Sequence, residues 1–160
     1  MFVVGLISDT HGLLRREALH ALAGSNLIIH AGDIGKPEIL DSLNQIAPVV
    51  AIRGNVDTAA WAKQLPTTAV ADADGSLIYV LHDLNQLDLD PAAAGFQVVV
   101  SGHSHNPSKT ERAGVLFINP GSAGPRRFKL PITVARMKRS LDGWQVEFID
   151  LEQRPSDPVL

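Results

Sequence analysis

Seven residues of the chain could ligate a metal or move a proton, and they come in short clusters: Asp9 with His11, then Asp33, Asn55, His82, and His103 with His105. Alternate residues of an extended segment point the same way, so the Asp9-x-His11 and His103-x-His105 spacings let both members of each pair reach one centre. Seven donors are too many for one ion. With Asp33 as a natural carboxylate bridge, they supply two ions with four protein ligands each, mixed nitrogen and oxygen, and leave room for solvent between them. Such a donor set suits Mn²⁺, Fe²⁺, Zn²⁺, Ni²⁺ or Co²⁺ rather than Ca²⁺ or Mg²⁺, which prefer oxygen shells. There is no cysteine, which excludes disulfides, thiolate catalysis and Cys-ligated zinc or iron–sulfur sites.

The elements that must hold these residues are legible from hydrophobic patterning. Phe2 to Ile7 is a buried strand closed by Ser8 to Gly12, Leu27 to Ala31 is a second strand ending in Gly32-Asp33, and Val49 to Ile52 is a third ending in Arg53 to Asp57. Leu14, Ala18, Leu19 and Leu22 recur at helical spacing before Gly24, as do Ile39, Leu40, Leu43 and Ile46 after Pro37. Three strand–loop–helix units in a row predict parallel strands with right-handed crossovers. Ligand-type residues then gather where open α/β sheets gather ligands, at the strands' C-terminal ends. Further on, Thr67 to Ala71 and Ser76 to Leu81 read as a hairpin around Asp72 to Gly75, and helical propensity is weak from Leu84 to Ala94. Val98 to Val100 and Val115 to Ile118 are strands, and Ile132 to Met137 with Val146 to Leu151 form a closing antiparallel pair around Asp142-Gly143.

Length fits one core, so residues 1–160 are expected as a single domain, with Pro155 and Pro158 marking a frayed tail over 155–160. A net charge of −3 argues against general nucleic-acid binding. The distribution is uneven: Arg112 to Leu141 carries no acid and seven of the fourteen basic residues, the stretch suited to an anionic partner. The longest uncharged run, Pro91 to Ser108, contains Gln97, His103, His105 and Asn106 and makes a poor membrane span, and Asp9 interrupts any signal-like N-terminus. A soluble, cytoplasmic protein is expected.

The motifs D-x-H (Asp9 to His11), G-D (Gly32-Asp33), G-N-x-D (Gly54 to Asp57), a lone His after a strand (His82) and G-H-S-H (Gly102 to His105), in this order, resemble the calcineurin-like metallophosphoesterases, specifically their short bacterial and archaeal phosphodiesterase branch. The N-P-G-S turn at Asn119 to Ser122 extends the likeness. The resemblance implies an α/β fold built as a two-sheet β-sandwich flanked by helices, in four α/β/β/α layers. It implies a first metal held by Asp9, His11, Asp33 and His105 and a second by Asp33, Asn55, His82 and His103, with Mn²⁺ the first choice. It further implies a phosphodiesterase in which a hydroxide bridging the ions attacks phosphorus in line, with Asp33, Asn55 and His103 as its catalytic residues. The substrate would be a phosphoester, nucleotide-like among the options. Two other functions compatible with this fold are a protein-binding scaffold, as in the retromer subunit that resembles the family, and a phosphomonoesterase or nucleotidase.

The sequence departs from the family pattern at two positions. Val56 stands where many members carry a His that contacts phosphate and protonates the leaving group, which points to diesters or good leaving groups. Asp83-Leu84 follows His82 where a Gly and another His are usual. Asp57 is expected behind the metal ligands or as a cap, and Arg53, Arg126 and Arg127 are candidate phosphate contacts, against the plainer reading of solvated charges. His30 is expected in the core or behind the ligands, His20 on the first helix in a structural role, and Asn119 and Ser122 as turn formers. Few aromatics, 5% of the chain, offer few interface anchors, and a homodimer or homotetramer stays among the options.

Overall fold

A computed structural model describes residues 1–152; the tail expected over 155–160 lies outside them. Strand β1 (Val3–Ile7), helix α1 (Arg16–Leu22), strand β2 (Leu27–His30), helix α2 (Glu38–Asn44) and strand β3 (Val49–Ala51) follow in order, and the three strands are parallel. Next come β4 (Thr68–Ala73), β5 (Ser76–Leu81), β6 (Val98–Val100), β7 (Ser108–Arg112), β8 (Val115–Asn119), β9 (Thr133–Ser140) and β10 (Gly143–Asp150). They make two five-stranded mixed sheets, ordered β10-β9-β1-β2-β3 and β4-β5-β6-β8-β7.

The period of two along each strand decides which layer each side chain joins. Val4, Leu6 and Ile29 of the first sheet pack against Ile78, Val80, Val100 and Ile118 of the second, forming the core between the sheets. Ile7 and Ile28 face the other way, onto Ala18 and Leu22 of α1 and Ile39 and Leu43 of α2. Both faces of the first sheet are therefore covered, which is why its parallel strands read as continuous apolar runs. The outer face of the second sheet, with Tyr79, Leu81, Val99 and Phe117, is covered more thinly, by Leu84, Leu87, Leu89 and Phe96. That segment holds only a 3₁₀ turn, Leu84–Gln86, in keeping with its weak helical propensity.

The hairpin between β4 and β5 turns on Asp74 and Gly75 alone, both at positive φ (54° and 91°), the backbone that a two-residue type I′ loop demands. Strand β7 has no counterpart in the sequence reading. Its five residues, Ser-Lys-Thr-Glu-Arg, are all exposed on a sheet edge, so no apolar alternation announces them, and their charges protect that edge from further pairing.

Candidate metal centre

The parallel strands deliver their C-terminal loops to one end of the sandwich, where backbone hydrogen bonds join them. Asp9 N–H donates to Gly32 C=O at 3.0 Å and His11 N–H to Asp33 C=O at 2.9 Å, lacing the loop after β1 to the loop after β2. From the second sheet, Gly102 N–H donates to His82 C=O at 2.9 Å. The sheets meet where His103 N–H donates to Asp9 Oδ2 at 3.1 Å. Asp9, His11, Asp33, His103 and His105 all hold left-handed backbone, with φ between 46° and 71°. Asp and His enter that region more readily than most residues, but five at one locus are kept there by the surrounding hydrogen bonds, a concentration found at functional sites. Two glycines of the motifs make room for this crowding. A Cβ on Gly54 would overlap the Asp33 carboxylate, and one on Gly102 would lie 2.6 Å from Asp9 Oδ2.

Each of the two buried carboxylates has one oxygen anchored and the other left facing imidazoles. Asp9 Oδ2 accepts from Ser8 Oγ–H (2.7 Å) and His103 N–H, while Oδ1 lies 3.3 Å from His105 Nε2 and 3.8 Å from both His11 Nε2 and His82 Nε2. Asp33 Oδ1 accepts from Val56 N–H (3.0 Å), while Oδ2 lies 3.1 Å from His82 Nε2 and 3.7 Å from His11 Nε2. Asp9 Oδ1, His11 Nε2, His82 Nε2 and His105 Nδ1 are buried with no hydrogen-bond partner among the described residues. Buried polar atoms are seldom left so, and Asp9, His11, His82 and His105 all belong to groups whose donor atoms cluster closely enough to hold a cation. Two groups, Asp9 with His11 and His105, and Asp33 with His82 and His103, each place their donor atoms within 4.8 Å of one another and could each hold an ion. Asp33 Oδ2 stands between the groups, as a bridge would. His82 Nδ1 is engaged with Ala31 C=O at 2.7 Å, which orients Nε2 inward.

Without metal, the carboxylates and imidazoles compensate one another. Burial alone would raise the Asp33 carboxyl, but contact with His82, the Val56 N–H and the charges of His82 and His11 hold it below its ordinary value. Burial likewise works against protonated His82, yet the Asp33 contact, the Ala31 carbonyl and the two aspartates raise it. His30 behaves in the opposite sense. Fully buried, it accepts from Gly32 N–H at Nδ1 (3.1 Å) and so carries its proton at Nε2, 3.0 Å from Thr10 Oγ1, whose own hydroxyl donates to Ile34 C=O at 2.8 Å. This chain ties Thr10, between Asp9 and His11, to the loop of Asp33. Burial pushes the His30 pKa down from 6.5 to about 4, against the raising effect of Asp9 and Asp57. A depressed base contributes stability that is complete above the unfolded pKa and is lost as pH falls towards the folded one. Acidification from pH 6.5 to 4 is therefore expected to remove about 3 kcal/mol of His30-linked stability. Denaturant unfolding should show a shallower acid limb for His30→Gln, which does not titrate in that range.

The remaining candidates divide by position. Asn55, exposed, and His103 line a cleft of about 700 Å³ together with His82, Asp83, Arg53 and Lys63. Asp57, buried, accepts from Ile34 N–H (3.0 Å), Gly35 N–H (3.1 Å) and Gly54 N–H (2.9 Å), fastening the loop of Asp33 to the loop of Asn55. Val56 gives Asp33 its backbone N–H and turns its side chain outward, 48% exposed. Asp83 caps the 3₁₀ turn through Asn85 N–H, and its Oδ2 faces His103 Nε2 at 3.9 Å. Asn119 and Ser122 do more than form a turn: Asn119 donates to Gly102 C=O, and Ser122 Oγ–H to Asp9 C=O, buttressing both metal loops.

Arg126 and Arg127 are not brought to the cleft; they lie exposed, and Arg126 pairs with Glu152, a partner too distant in sequence to be foreseen. The rest of the basic stretch is partly engaged in structure: Arg136 donates to Ala21 and Ala23 C=O, Arg112 lies over Phe117, and Arg139 over Trp144. Lys63 escaped sequence reasoning, because a single lysine within the 3₁₀ turn Ala62–Gln64 carries no spacing signal.

No described helix is long and apolar enough to cross a membrane. A probable metallophosphoesterase of Methanocaldococcus jannaschii is 34% identical to the chain, over 75% of this chain and 67% of that protein. Among solved structures, a novel archaeal phosphodiesterase superposes with a TM-score of 0.77 at 21% identity, covering 92% of this chain and 100% of that one. Vacuolar protein sorting 29 from Cryptosporidium parvum gives 0.73 at 20% identity, covering 93% and 97%. The calcineurin-like phosphoesterase superfamily domain matches residues 2–141, a span that contains every motif from Asp9 to Ser122. With that match over nearly the whole described chain, and with its motif residues gathered at one end of a two-sheet sandwich, the protein belongs to the calcineurin-like phosphoesterase superfamily.

Proposed function

We propose that the protein is a phosphodiesterase that works with two divalent transition-metal ions, manganese foremost, in the cytoplasm. The observation that carries this reading is the pair of carboxylates whose free oxygens face unpartnered imidazole nitrogens on either side of Asp33, beside an open cleft. Asp9, His11, Asp33 and His105 would hold one ion, and Asp33, Asn55, His82 and His103 the other. When bound, the pair supplies Lewis acidity that lowers the pKa of a water and offsets the charge developing on phosphorus.

The chain's own residues do the rest. Ser8, Val56 N–H and the Ala31 carbonyl fix Asp9, Asp33 and His82 before substrate arrives, so little reorganisation is left for the reaction. Asn55 and His103, which line the cleft, would meet the phosphoryl group. Val56 has no proton to give, and the leaving group must depart without an acid from that position. This favours diesters over monoesters with poor leaving groups, in keeping with the name of the archaeal structural neighbour.

Hydrolysis of bis(p-nitrophenyl) phosphate by chelator-stripped protein, with and without added Mn²⁺, tests the reading. Turnover that is absent without metal and returns on its addition is expected; folded, metal-loaded protein that cleaves neither this diester nor other phosphodiesters would refute it.

A further inference from the structure

The cleft extends well beyond what a phosphoryl group needs. At about 700 Å³ it has the size of a small-molecule pocket, and of the two donor groups only His82 and His103 line it, together with Asn55. Whatever is esterified to the phosphorus must lie along its walls. Its lining includes two cations: Arg53, two residues past the end of β3, and Lys63 on the 3₁₀ turn Ala62–Gln64. The backbone links the two segments: Arg53 N–H donates to Pro66 C=O at 2.9 Å, tying the stretch just past that turn to the strand end. Thr67 and Thr68 also line the cleft. Neither Arg53 nor Lys63 forms an ion pair with any described residue. Three acids line the cleft too, and none pairs with either cation: Asp57 is engaged by three backbone N–H groups, Asp83 caps the 3₁₀ turn after β5 and faces His103, and Asp88 follows that turn.

Two cations without ion-pair partners, with two threonines, in the lining of a cleft that also contains His82 and His103 suit an anion. We propose that the substrate is a phosphodiester whose alcohol arm bears a second anionic group, phosphate or carboxylate, received by Arg53 and Lys63. The inference rests on the phosphodiesterase reading and assigns that site its substrate class.

Two chromogenic esters separate it from its parent reading: the p-nitrophenyl ester of thymidine 5′-phosphate, and the same ester carrying a 3′-phosphate. For the Mn²⁺-loaded protein the added phosphate is expected to lower KM about tenfold. In Arg53→Gln and in Lys63→Gln that ratio should shrink to less than about twofold, a comparison made within each variant and so insensitive to any general loss of activity. Equal KM values for the two esters in the unsubstituted protein, or a ratio that survives both substitutions, would overturn the subsite. Cleavage of neither ester would count against the phosphodiesterase reading instead. In that event, calorimetric titration with thymidine 3′,5′-bisphosphate against thymidine 5′-monophosphate decides: a tenfold preference lost in the variants supports the subsite, and equal affinities refute it.

Discussion

Replacing Asp33 by Asn is expected to lower phosphodiester turnover by about a thousandfold, the largest loss from any single near-isosteric change in this chain. The side chain keeps its shape, and its oxygen can still accept from Val56 N–H, so folding should be largely retained. What disappears is the negative charge between the two donor groups, at the oxygen that lies 3.1 Å from His82 Nε2 and 3.7 Å from His11 Nε2. An amide N–H₂ turned towards those nitrogens cannot bridge cations. Both ions should bind more weakly, visible as a loss of bound Mn²⁺ in equilibrium dialysis alongside the loss of turnover. Retained turnover in Asp33→Asn would show that the bridge is not needed.

The second large effect is expected at a residue that faces no metal. Asp57→Ala removes the acceptor for three backbone N–H groups in the loops that carry Asp33 and Asn55. Leaving buried donors unsatisfied costs about 1–3 kcal/mol each, so a total near 3 kcal/mol of stability is expected after partial relaxation and hydration. A further consequence is release of Gly54, whose close approach to Asp33 depends on that carboxylate. Mn²⁺ affinity should fall about 10–100-fold, as for other residues that orient ligands without touching metal. Thermal unfolding and metal titration on the same samples check both parts; unchanged metal affinity in a destabilised variant would restrict Asp57 to a folding role.

Metal-ligand chemistry is legible in sequence because it needs rare donor types at short local spacings. D-x-H and H-x-H announce themselves, and strand-terminal placement follows from the apolar runs before them. The left-handed backbone at Asp9, His11, Asp33, His103 and His105 is not legible, since only glycine advertises that conformation reliably. His30 sits in an apolar strand with nothing to distinguish a core histidine from one that bonds two loops. The cleft wall was half visible: Arg53 adjoins a motif, whereas Lys63 reaches the same cleft through the fold alone. The basic stretch from Arg112 to Leu141 is only partly committed to structure: Arg136 finds carbonyls, Arg112 and Arg139 lie over aromatic rings, and Arg126 pairs with Glu152, contacts that a charge count does not reveal. Strand β7 was hidden because an edge strand in water needs no apolar face.

The most direct measurement of the central claim is the anomalous difference density of crystals grown with Mn²⁺. Two peaks about 3.5–4 Å apart are expected on either side of Asp33 Oδ2, one among Asp9, His11 and His105 and the other among Asn55, His82 and His103. A single peak at saturating metal, or two peaks that do not share Asp33, would contradict the two-metal centre.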